Sequence, residues 1–114
     1  MTIGIDVVDI ERLRAALART PRLEERLFTK EERLYCHGLA DPFSSFAGTL
    51  AAKEATIKAL RLGSLAGWAR LIEIARDDNG VPTARVEGVG NEVEISISHD
   101  GGVAVAVALS LRPL

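Results

Sequence analysis

The segment Phe43–Leu62 (FSSFAGTLAAKEATIKALRL) is the longest stretch of helix-forming sequence in this chain of 114 residues. Before the segment, Asp41 can cap the helix and Pro42 suits its first position. Gly63 follows the segment and can end the helix. Glu54 and Lys58 are four residues apart, so they share one face of the predicted helix, and small residues flank them. We therefore expect a long helix with a charged face that another element can approach closely.

Shorter elements are predicted on both sides of this helix. Ile3–Val8 is a β-branched run typical of a strand, Asp9 can cap the helix after it, and Thr29 with Glu32 forms a capping box for a later one. Alternating apolar residues predict four further strands, paired as two hairpins around turns at 77–80 and 99–102: Leu71–Ala75, Thr83–Glu87, Glu92–Ser98 and Val103–Leu111. This order predicts one α+β domain over residues 1–114, a mostly antiparallel sheet packed against one long and several short helices.

The composition is that of a globular protein, and it excludes several classes. Hydrophobic residues make up 47% of the chain and charged residues 26%, so the chain has no disorder signature. The net charge of -2 gives no reason to expect a nucleic-acid partner. Cys36 is the only cysteine, which leaves neither an internal disulfide nor a cysteine-based zinc site. The first residues do not form a signal peptide and the longest apolar run is too short to span a membrane, so we expect a cytoplasmic protein.

Two carboxylates need an explanation. Asp6 interrupts the apolar strand, and a buried carboxylate requires a hydrogen bond, an ion pair or a metal. Asp6 could bond to a nearby helix start, and Glu54 could form an ordinary solvated pair with Lys58. If Asp6 and Glu54 converge instead, they form an oxygen site with few protein ligands, which suits Mg²⁺ completed by water and a substrate phosphate. Lys58 would then face that phosphate.

The sequence Ser98-His99-Asp100 contains the three residue types of a catalytic triad. Neighbouring residues of a strand point to opposite faces, so the three cannot converge and a triad is excluded. His99 is either a donor to a phosphate or carboxylate or a turn residue. Neither His99 nor His37 has metal-ligand spacing to a second histidine or a cysteine. Trp68 is expected in a loop, as a hydrophobic plug.

Arginines are concentrated in the first helical region, at positions 12, 14, 19, 22 and 26. Acidic residues lie between them, and on a mildly acidic protein such a run is usually a solvated face. The run could also dock an acidic partner, because electrostatic attraction accelerates encounter. The residues alone leave both interpretations open.

Three separated segments resemble those of one family. They are Gly4–Arg12 (GIDVVDIER), Phe46–Ala59 with its central AAKEA, and Ile97–Asp100 (ISHD) followed by Ala104 and Ala106. In order and spacing they resemble the holo-acyl-carrier-protein synthases, the small single-domain 4'-phosphopantetheinyl transferases. Positions between the segments are also similar, so the resemblance covers nearly the whole chain.

The resemblance implies an enzyme that transfers 4'-phosphopantetheine from coenzyme A to a serine of an acyl or peptidyl carrier protein and releases adenosine 3',5'-bisphosphate. Asp6 and Glu54 match the Mg²⁺ ligands of the family, and Lys58 matches its phosphate-facing lysine, so these three are the expected catalytic residues. Phosphoryl transfer depends on in-line positioning and neutralisation of oxygen charge, which Mg²⁺ and Lys58 would supply. The base for the carrier serine is left open between Glu54 and a water on the metal.

Other residues are implied to bind the two substrates. Ser98 and His99 match the Ser-His-Asp segment of the family, which is expected near the coenzyme A phosphates. Arg61 adds a cation one turn after the phosphate-facing lysine. Arg12 matches a position on the helix that contacts the acidic apo carrier protein, and we expect Arg19 on the same helix to share this docking role.

Family members are similar in being homotrimers with each site between two subunits, and the last predicted strand agrees with such an assembly. Valines alternate with alanines along Val103–Leu111, so the strand has no polar face and both faces should be buried. The helices can cover one face. Other subunits around a closed symmetry axis are expected to cover the second.

The chain departs from the family pattern at three places. Thr49 stands where the family usually has an arginine that could hold a coenzyme A phosphate, and Arg61 stands where it usually has glycine. Residues 87–94 form a short connection where the family usually has a helix. These departures keep two alternatives open, a non-catalytic scaffold of the same fold that binds carrier proteins and a Mg²⁺-dependent phosphohydrolase of nucleotides. The presence of both carboxylates together with the lysine and the histidine favours the transferase.

Overall fold

The structure is a computed structural model that describes residues 1–111, with the side chains of residues 90–92 excepted. The elements follow the chain as β1 (Thr2–Asp9), α1 (Ile10–Arg19), α2 (Leu23–Leu27), α3 (Lys30–His37), α4 (Pro42–Leu60), α5 (Leu65–Trp68), β2 (Ile72–Arg76), β3 (Pro82–Val86), β4 (Gly90–Asp100) and β5 (Val103–Ser110). All strand pairs are antiparallel. The predicted α+β fold, with a sheet packed against one long and several short helices, is confirmed. Within residues 1–111, no helix is both long and apolar enough to cross a membrane.

The strand order in the sheet is β1-β5-β4-β3-β2, so the first strand of the chain pairs with the last. The register between them runs from Thr2 opposite Ser110 to Asp9 opposite Val103. Because side chains alternate along a strand, Asp6 lies on the same face as its partner Ala106, which is fully buried under α4. The register therefore directs the Asp6 carboxylate toward α4.

The long helix α4 packs directly on β1 because glycine and alanine line the contact. A Cβ added to Gly4 would lie 2.0 Å from the Ala55 carbonyl oxygen and 2.8 Å from the Ala59 backbone nitrogen, which no side chain tolerates. The Thr2 hydroxyl donates to the Ala59 carbonyl oxygen at 2.7 Å at the same contact. The glycine thus brings the backbones of helix and strand together, as the small residues around Glu54 led us to expect.

The local signals of the sequence correctly predicted the starts of α1, α3 and α4. The Asp9 carboxylate accepts from the Arg12 backbone N–H at 2.8 Å, and the Asp41 carboxylate accepts from the Ser44 backbone N–H at 3.2 Å. Thr29 and Glu32 form the predicted capping box. These caps satisfy backbone donors that the first turn of a helix leaves unpaired.

The strand ends differ from the predictions by one or two residues, and three further features also differ. α4 ends at Leu60, two residues early, because Arg61 adopts a left-handed conformation and closes the helix. Trp68 lies at the end of the short helix α5 and not in a loop, although it packs against the core as a plug. The last hairpin turns at two glycines with positive φ, residues 101 and 102, so His99 belongs to β4 and is not a turn residue.

The face of the sheet that points away from α4 is apolar along β1 and β5. Ile3, Ile5 and Val7 are 68%, 56% and 58% exposed, and Val105 and Val107 beside them are half-buried. Within a single chain, one face of the last strand is therefore left uncovered. A surface of this kind on a folded domain is typical of an interaction site.

Candidate active site

Asp6, Glu54 and Lys58 lie together where α4 crosses β1. The Lys58 ammonium donates to Asp6 Oδ1 at 3.0 Å and to the Ile5 carbonyl oxygen at 2.8 Å. The Asp6 side chain is 13% exposed, whereas that of Lys58 is 55% exposed. The strand thus supplies a sheltered carboxylate, and the helix supplies a cation that solvent and a ligand can reach.

The local sequence explains why these residues meet. Gly4 and Asp6 are two residues apart on β1 and face the same side of the sheet. Glu54 and Lys58 are each followed by an alanine of the close contact with Gly4, which holds this part of α4 against the strand. The spacing of four residues places both charged side chains on the same side of the helix.

Glu54 adds a second carboxyl to the cluster. Burial raises the pKa of Glu54, the hydrogen bond and negative charge of Asp6 raise it further, and Lys58 acts in the opposite direction. When both acids are ionised they are acceptors only, so they repel each other. Oδ2 of Asp6 is buried and has no hydrogen-bond partner among the described residues. The burial and mutual repulsion of these two acids therefore favour a proton or a cation between them.

Lys53, the residue before Glu54, belongs to a different cluster that the sequence reasoning missed. Its ammonium is fully buried and contacts Glu32 Oε1 at 2.6 Å. Burial lowers the pKa of Lys53 and raises that of Glu32, and the attraction between their charges opposes both shifts. The helical spacing carries one signal. Lys53 lies four residues after Thr49 and three before Thr56, so the three share one face of α4, and that face is buried.

His99 lies at the other end of α4 from Lys58. It lines a groove of about 320 Å³ together with Asp41, Ser44, Gly48 and other residues of α3, α4 and β2. Ten residues of α4 separate Gly48 from Lys58, which corresponds to about 15 Å at the helical rise per residue. Within one chain the structure therefore does not bring His99 to the carboxylate cluster.

Ser98 is also separated from the cluster and from its neighbour His99. It is exposed and pairs with Val105, on the face of the sheet that points away from α4. Its side chain therefore does not enter the groove that His99 lines. This arrangement agrees with the exclusion of a catalytic triad from the alternation of strand residues.

The model of the 4'-phosphopantetheinyl transferase superfamily matches residues 2–108. This chain belongs to that superfamily.

Relatives of this superfamily member agree with the resemblance to holo-acyl-carrier-protein synthases. A holo-[acyl-carrier-protein] synthase of Salinispora arenicola is 40% identical over 121 residues, and the match covers 98% of both chains. The crystal structure of a holo-(acyl-carrier-protein) synthase from Bacillus anthracis in complex with CoA (3',5'-ADP) has a TM-score of 0.79 and 34% identity, covering 94% of this chain and 92% of that one.

A longer relative also contains this superfamily domain. The fatty acid synthase subunit alpha of Candida parapsilosis is 47% identical over 115 residues, which cover 90% of this chain. The match covers 6% of that subunit, so this chain corresponds to a small part of a much larger protein.

The predicted docking arginines of this superfamily member lie on the surface of α1. Arg12 and Arg19 are exposed, and Arg12 borders a shallow pocket of about 260 Å³ that Val7, Leu13 and Leu50 also line. Arg61 is exposed just after the last residue of α4. These three arginines occupy separate places on the molecule, with Arg61 at the end of α4 that carries Lys58.

Proposed function

We propose that this protein transfers 4'-phosphopantetheine from coenzyme A to a serine hydroxyl of an apo carrier protein and releases adenosine 3',5'-bisphosphate. The observation that carries the proposal is the cluster of Asp6, Glu54 and Lys58 in a chain of the phosphopantetheinyl transferase superfamily. The named activity of the relative from Salinispora arenicola and the CoA complex of the neighbour from Bacillus anthracis support it. The single cysteine agrees with the cytoplasmic location that we expect.

The carboxylate cluster fits a Mg²⁺ ion. Asp6 Oδ2 is a buried oxygen without a partner, Glu54 lies beside it, and carboxylate oxygens are the ligands that Mg²⁺ prefers. Among the described residues no group of three metal-binding side chains occurs, so the remaining ligands would be water and substrate oxygens. When bound, Mg²⁺ would offset negative charge on the pyrophosphate of coenzyme A. Asp6 and Glu54 are the proposed ligands.

Lys58 is the proposed cation at the transferred phosphate. Its ammonium is held near Asp6 by two hydrogen bonds, and more than half of the side chain remains accessible to a ligand. Transfer breaks the bond from the pantetheine phosphate to the bridging pyrophosphate oxygen and forms a bond to the serine oxygen, while negative charge increases on the bridging oxygen. A fixed ammonium at that place stabilises the transition state more than the ground state. Glu54 is the proposed acceptor for the serine proton.

We further propose a homotrimer with each site between two subunits. His99 lines a groove with Gly48, and about 15 Å of helix separates Gly48 from Lys58, which favours a site in which His99 of one subunit and Lys58 of another contact the same phosphates. The uncovered apolar face of β1 and β5 supplies an interface that a closed symmetry axis would bury. Ser98 on that face would then belong to the interface region, and His99 would bind coenzyme A beside the partner's cluster.

Val107→Glu tests the assembly, because it places a charge at the centre of the apolar face. We expect the trimer to dissociate and activity to be lost with it, since a buried unpaired carboxylate is strongly unfavourable. Val81→Glu is the matched control, because it makes the same substitution at an exposed valine just before β3, outside the apolar face of β1 and β5. Sedimentation velocity of both variants and the wild type is the measurement. A fully active wild-type monomer would refute the shared site.

Mass spectrometry tests the transferase itself. A panel of apo carrier proteins is incubated with coenzyme A, Mg²⁺ and this protein, and we expect one of them to gain the mass of one phosphopantetheine group. Binding of a carrier protein without a mass change would indicate the scaffold alternative. Cleavage of coenzyme A or another nucleotide without a carrier protein would indicate the phosphohydrolase. The charged cluster with an accessible lysine favours transfer over the scaffold.

The proposed carrier partner is acidic and docks on α1 through Arg12 and Arg19. Arg12→Glu should raise KM for the carrier protein about tenfold, because a charge at the edge of an interface acts on the encounter with the oppositely charged partner. KM for coenzyme A should stay within about twofold of the wild-type value. Lys30→Glu, a charge reversal at the exposed start of α3, is the control. Equal changes in both KM values would contradict the docking role.

A further inference from the structure

Arg61 has a backbone conformation that arginine disfavours. Among the described residues it is the only one other than glycine with a positive φ, and its φ and ψ are 53° and 43°. In this left-handed region the Cβ of an L residue crowds the neighbouring carbonyl, and glycine is the usual residue where a helix ends in this way. Its backbone N–H donates to the Lys58 carbonyl at 3.3 Å, and that of Leu62 donates to the Ile57 carbonyl at 3.0 Å. These closing hydrogen bonds use only the backbone, so a glycine at position 61 would end the helix equally well.

The side chain of Arg61 does not compensate for this strain within the chain. It is exposed, and no hydrogen bond or ion pair to its guanidinium is found in residues 1–111. The ammonium of Lys58, the nearest cation on the helix, donates to Asp6 and to the Ile5 carbonyl oxygen. A strained residue whose side chain has no partner inside the fold indicates a function for that side chain.

The position of Arg61 indicates which function. It follows Lys58 by three residues on the chain, at the end of α4 and beyond the carboxylate cluster. If Lys58 faces the pyrophosphate, the part of coenzyme A that extends past it on the leaving-group side is adenosine with its 3'-phosphate. That phosphate is the only charged group of coenzyme A beyond the pyrophosphate, and a guanidinium binds phosphate well.

Position 49 cannot supply such a cation in this chain. Thr49 is 1% exposed, and its hydroxyl lies 4.0 Å from the sulfur of Cys36 inside the protein. Thr49 stands where the family resemblance leads one to expect an arginine for a coenzyme A phosphate. This chain therefore lacks that arginine and carries an exposed one at a helix end that would normally have glycine.

We propose that Arg61 binds the 3'-phosphate of coenzyme A and makes this transferase prefer coenzyme A over 3'-dephospho-coenzyme A. The inference rests on the proposed function, because it uses Lys58 to place the pyrophosphate. A different explanation is available: a cation at the C-terminus of a helix is stabilised by the helix dipole. The two explanations predict opposite changes in stability when arginine is replaced by glycine.

Three variants separate backbone strain from charge. Arg61→Gly removes both the strain and the charge. Arg61→Asn removes the charge and keeps a side chain that tolerates the left-handed region, whereas Arg61→Lys keeps the charge and the strain. KM and kcat are measured for coenzyme A and for 3'-dephospho-coenzyme A at a saturating concentration of apo carrier protein, and thermal unfolding is followed for each variant.

For Arg61→Gly and Arg61→Asn we expect KM for coenzyme A to rise about five- to tenfold, because each variant loses one exposed charge-assisted hydrogen bond to the ligand. We expect kcat to be nearly unchanged. KM for 3'-dephospho-coenzyme A should change less than twofold, so the preference of the wild type for coenzyme A is lost. Arg61→Lys should keep most of the preference. The unfolding midpoint of Arg61→Gly should rise by about 2–6 °C, because the strain is relieved.

Several results would overturn the inference. An equal rise of KM for both forms of coenzyme A would place Arg61 at the pyrophosphate, and unchanged KM values would leave it without a role in binding. A lower unfolding midpoint for Arg61→Gly would assign the arginine to the helix dipole. A wild-type protein that modifies no carrier protein with either form of coenzyme A would refute the proposed function itself, which is a separate outcome.

Discussion

Lys53 and Glu54 are neighbours in the chain, yet they belong to charged clusters of opposite kinds. Lys53 is fully buried, and its ammonium donates to the carbonyl oxygens of Leu27 at 2.9 Å and Ala69 at 2.5 Å besides its ion pair with Glu32. Glu32 accepts from the backbone N–H of Thr29 at 2.8 Å and, through its other oxygen, from that of Ile74 at 2.7 Å. Every donor of the ammonium has an acceptor, so this cluster is complete without a ligand.

The cluster around Glu54 is incomplete. Asp6 carries a buried oxygen without a partner, the two carboxylates repel each other, and Lys58 is largely exposed. Successive residues of a helix point about 100° apart, so one helix can direct Lys53 into the core and Glu54 toward β1. The comparison indicates that the first cluster joins α4 to α3 and β2, and that the second is held open for a ligand. The two clusters should therefore respond differently to mutation.

Lys53→Met is expected to have the largest effect on stability. It leaves the Glu32 carboxylate buried without a countercharge, which should lower the free energy of unfolding by about 3–5 kcal/mol. Urea denaturation followed by circular dichroism measures this. The double variant Lys53→Met with Glu32→Gln is the control and should recover part of the loss, since the remaining amide is neutral. A single variant as stable as the wild type would show that the buried pair does not hold the elements together.

Gly4→Ala changes the second cluster without altering a charge. The new methyl group would meet the Ala55 carbonyl oxygen at 2.0 Å, so α4 must move away from β1, at a cost of about 1–3 kcal/mol. The movement should also separate Asp6 from Glu54 and weaken Mg²⁺ binding. Gly48→Ala is the matched control, because its methyl group would meet only a side-chain methyl of Ile97, at 2.8 Å. Isothermal titration calorimetry with Mg²⁺ should distinguish the two variants, and equal losses would contradict a special role of Gly4.

Lys58→Met should change stability little and activity strongly. The Lys58–Asp6 pair is half exposed on the lysine side, and such pairs contribute about 0.2–1 kcal/mol to stability. The transfer rate should fall by about 100-fold or more, since one fixed cation at a developing charge contributes on this scale. Single-turnover transfer and urea denaturation of the same preparation are the measurements. A large loss of stability with a normal transfer rate would show that Lys58, like Lys53, stabilises the fold and does not act in transfer.

Glu54→Gln is expected to have the smallest effect on stability. Burial and the neighbouring Asp6 raise the pKa of Glu54, so at neutral pH its negative charge is disfavoured in the folded state, and a neutral amide should keep stability within about 0.5 kcal/mol of the wild type. Mg²⁺ affinity and transfer should both be lost. Glu73→Gln, a substitution on β2 outside the cluster, is the control. Near-normal transfer by Glu54→Gln in saturating Mg²⁺ would exclude Glu54 as a metal ligand.

Much of this fold could be predicted because its signals are local. Caps at Asp9 and Asp41 and the capping box at Thr29 act on N–H groups within three residues, so they can be recognised in the sequence alone. Strand alternation likewise fixed which residues share a face, and it separated Ser98 from His99 correctly. That Glu54 and Lys58 share one side of the helix followed from helix geometry, and the convergence of Glu54 with Asp6 was one of two alternatives.

The remaining features depended on which elements meet in three dimensions. The sequence marks Lys53 and Glu32 only as charged residues. Their burial arises because α2, α3 and the end of α5 close around the ammonium, while β2 closes on the carboxylate. Likewise, the left-handed conformation of Arg61 and the position of His99 beside Gly48 follow from where α4 ends and how it lies on the sheet. The sequence by itself determined the order, caps and faces of the elements, since these depend on near neighbours. Tertiary structure alone decided which charges are enclosed and which stay open, because burial is set by contacts between residues far apart in the chain.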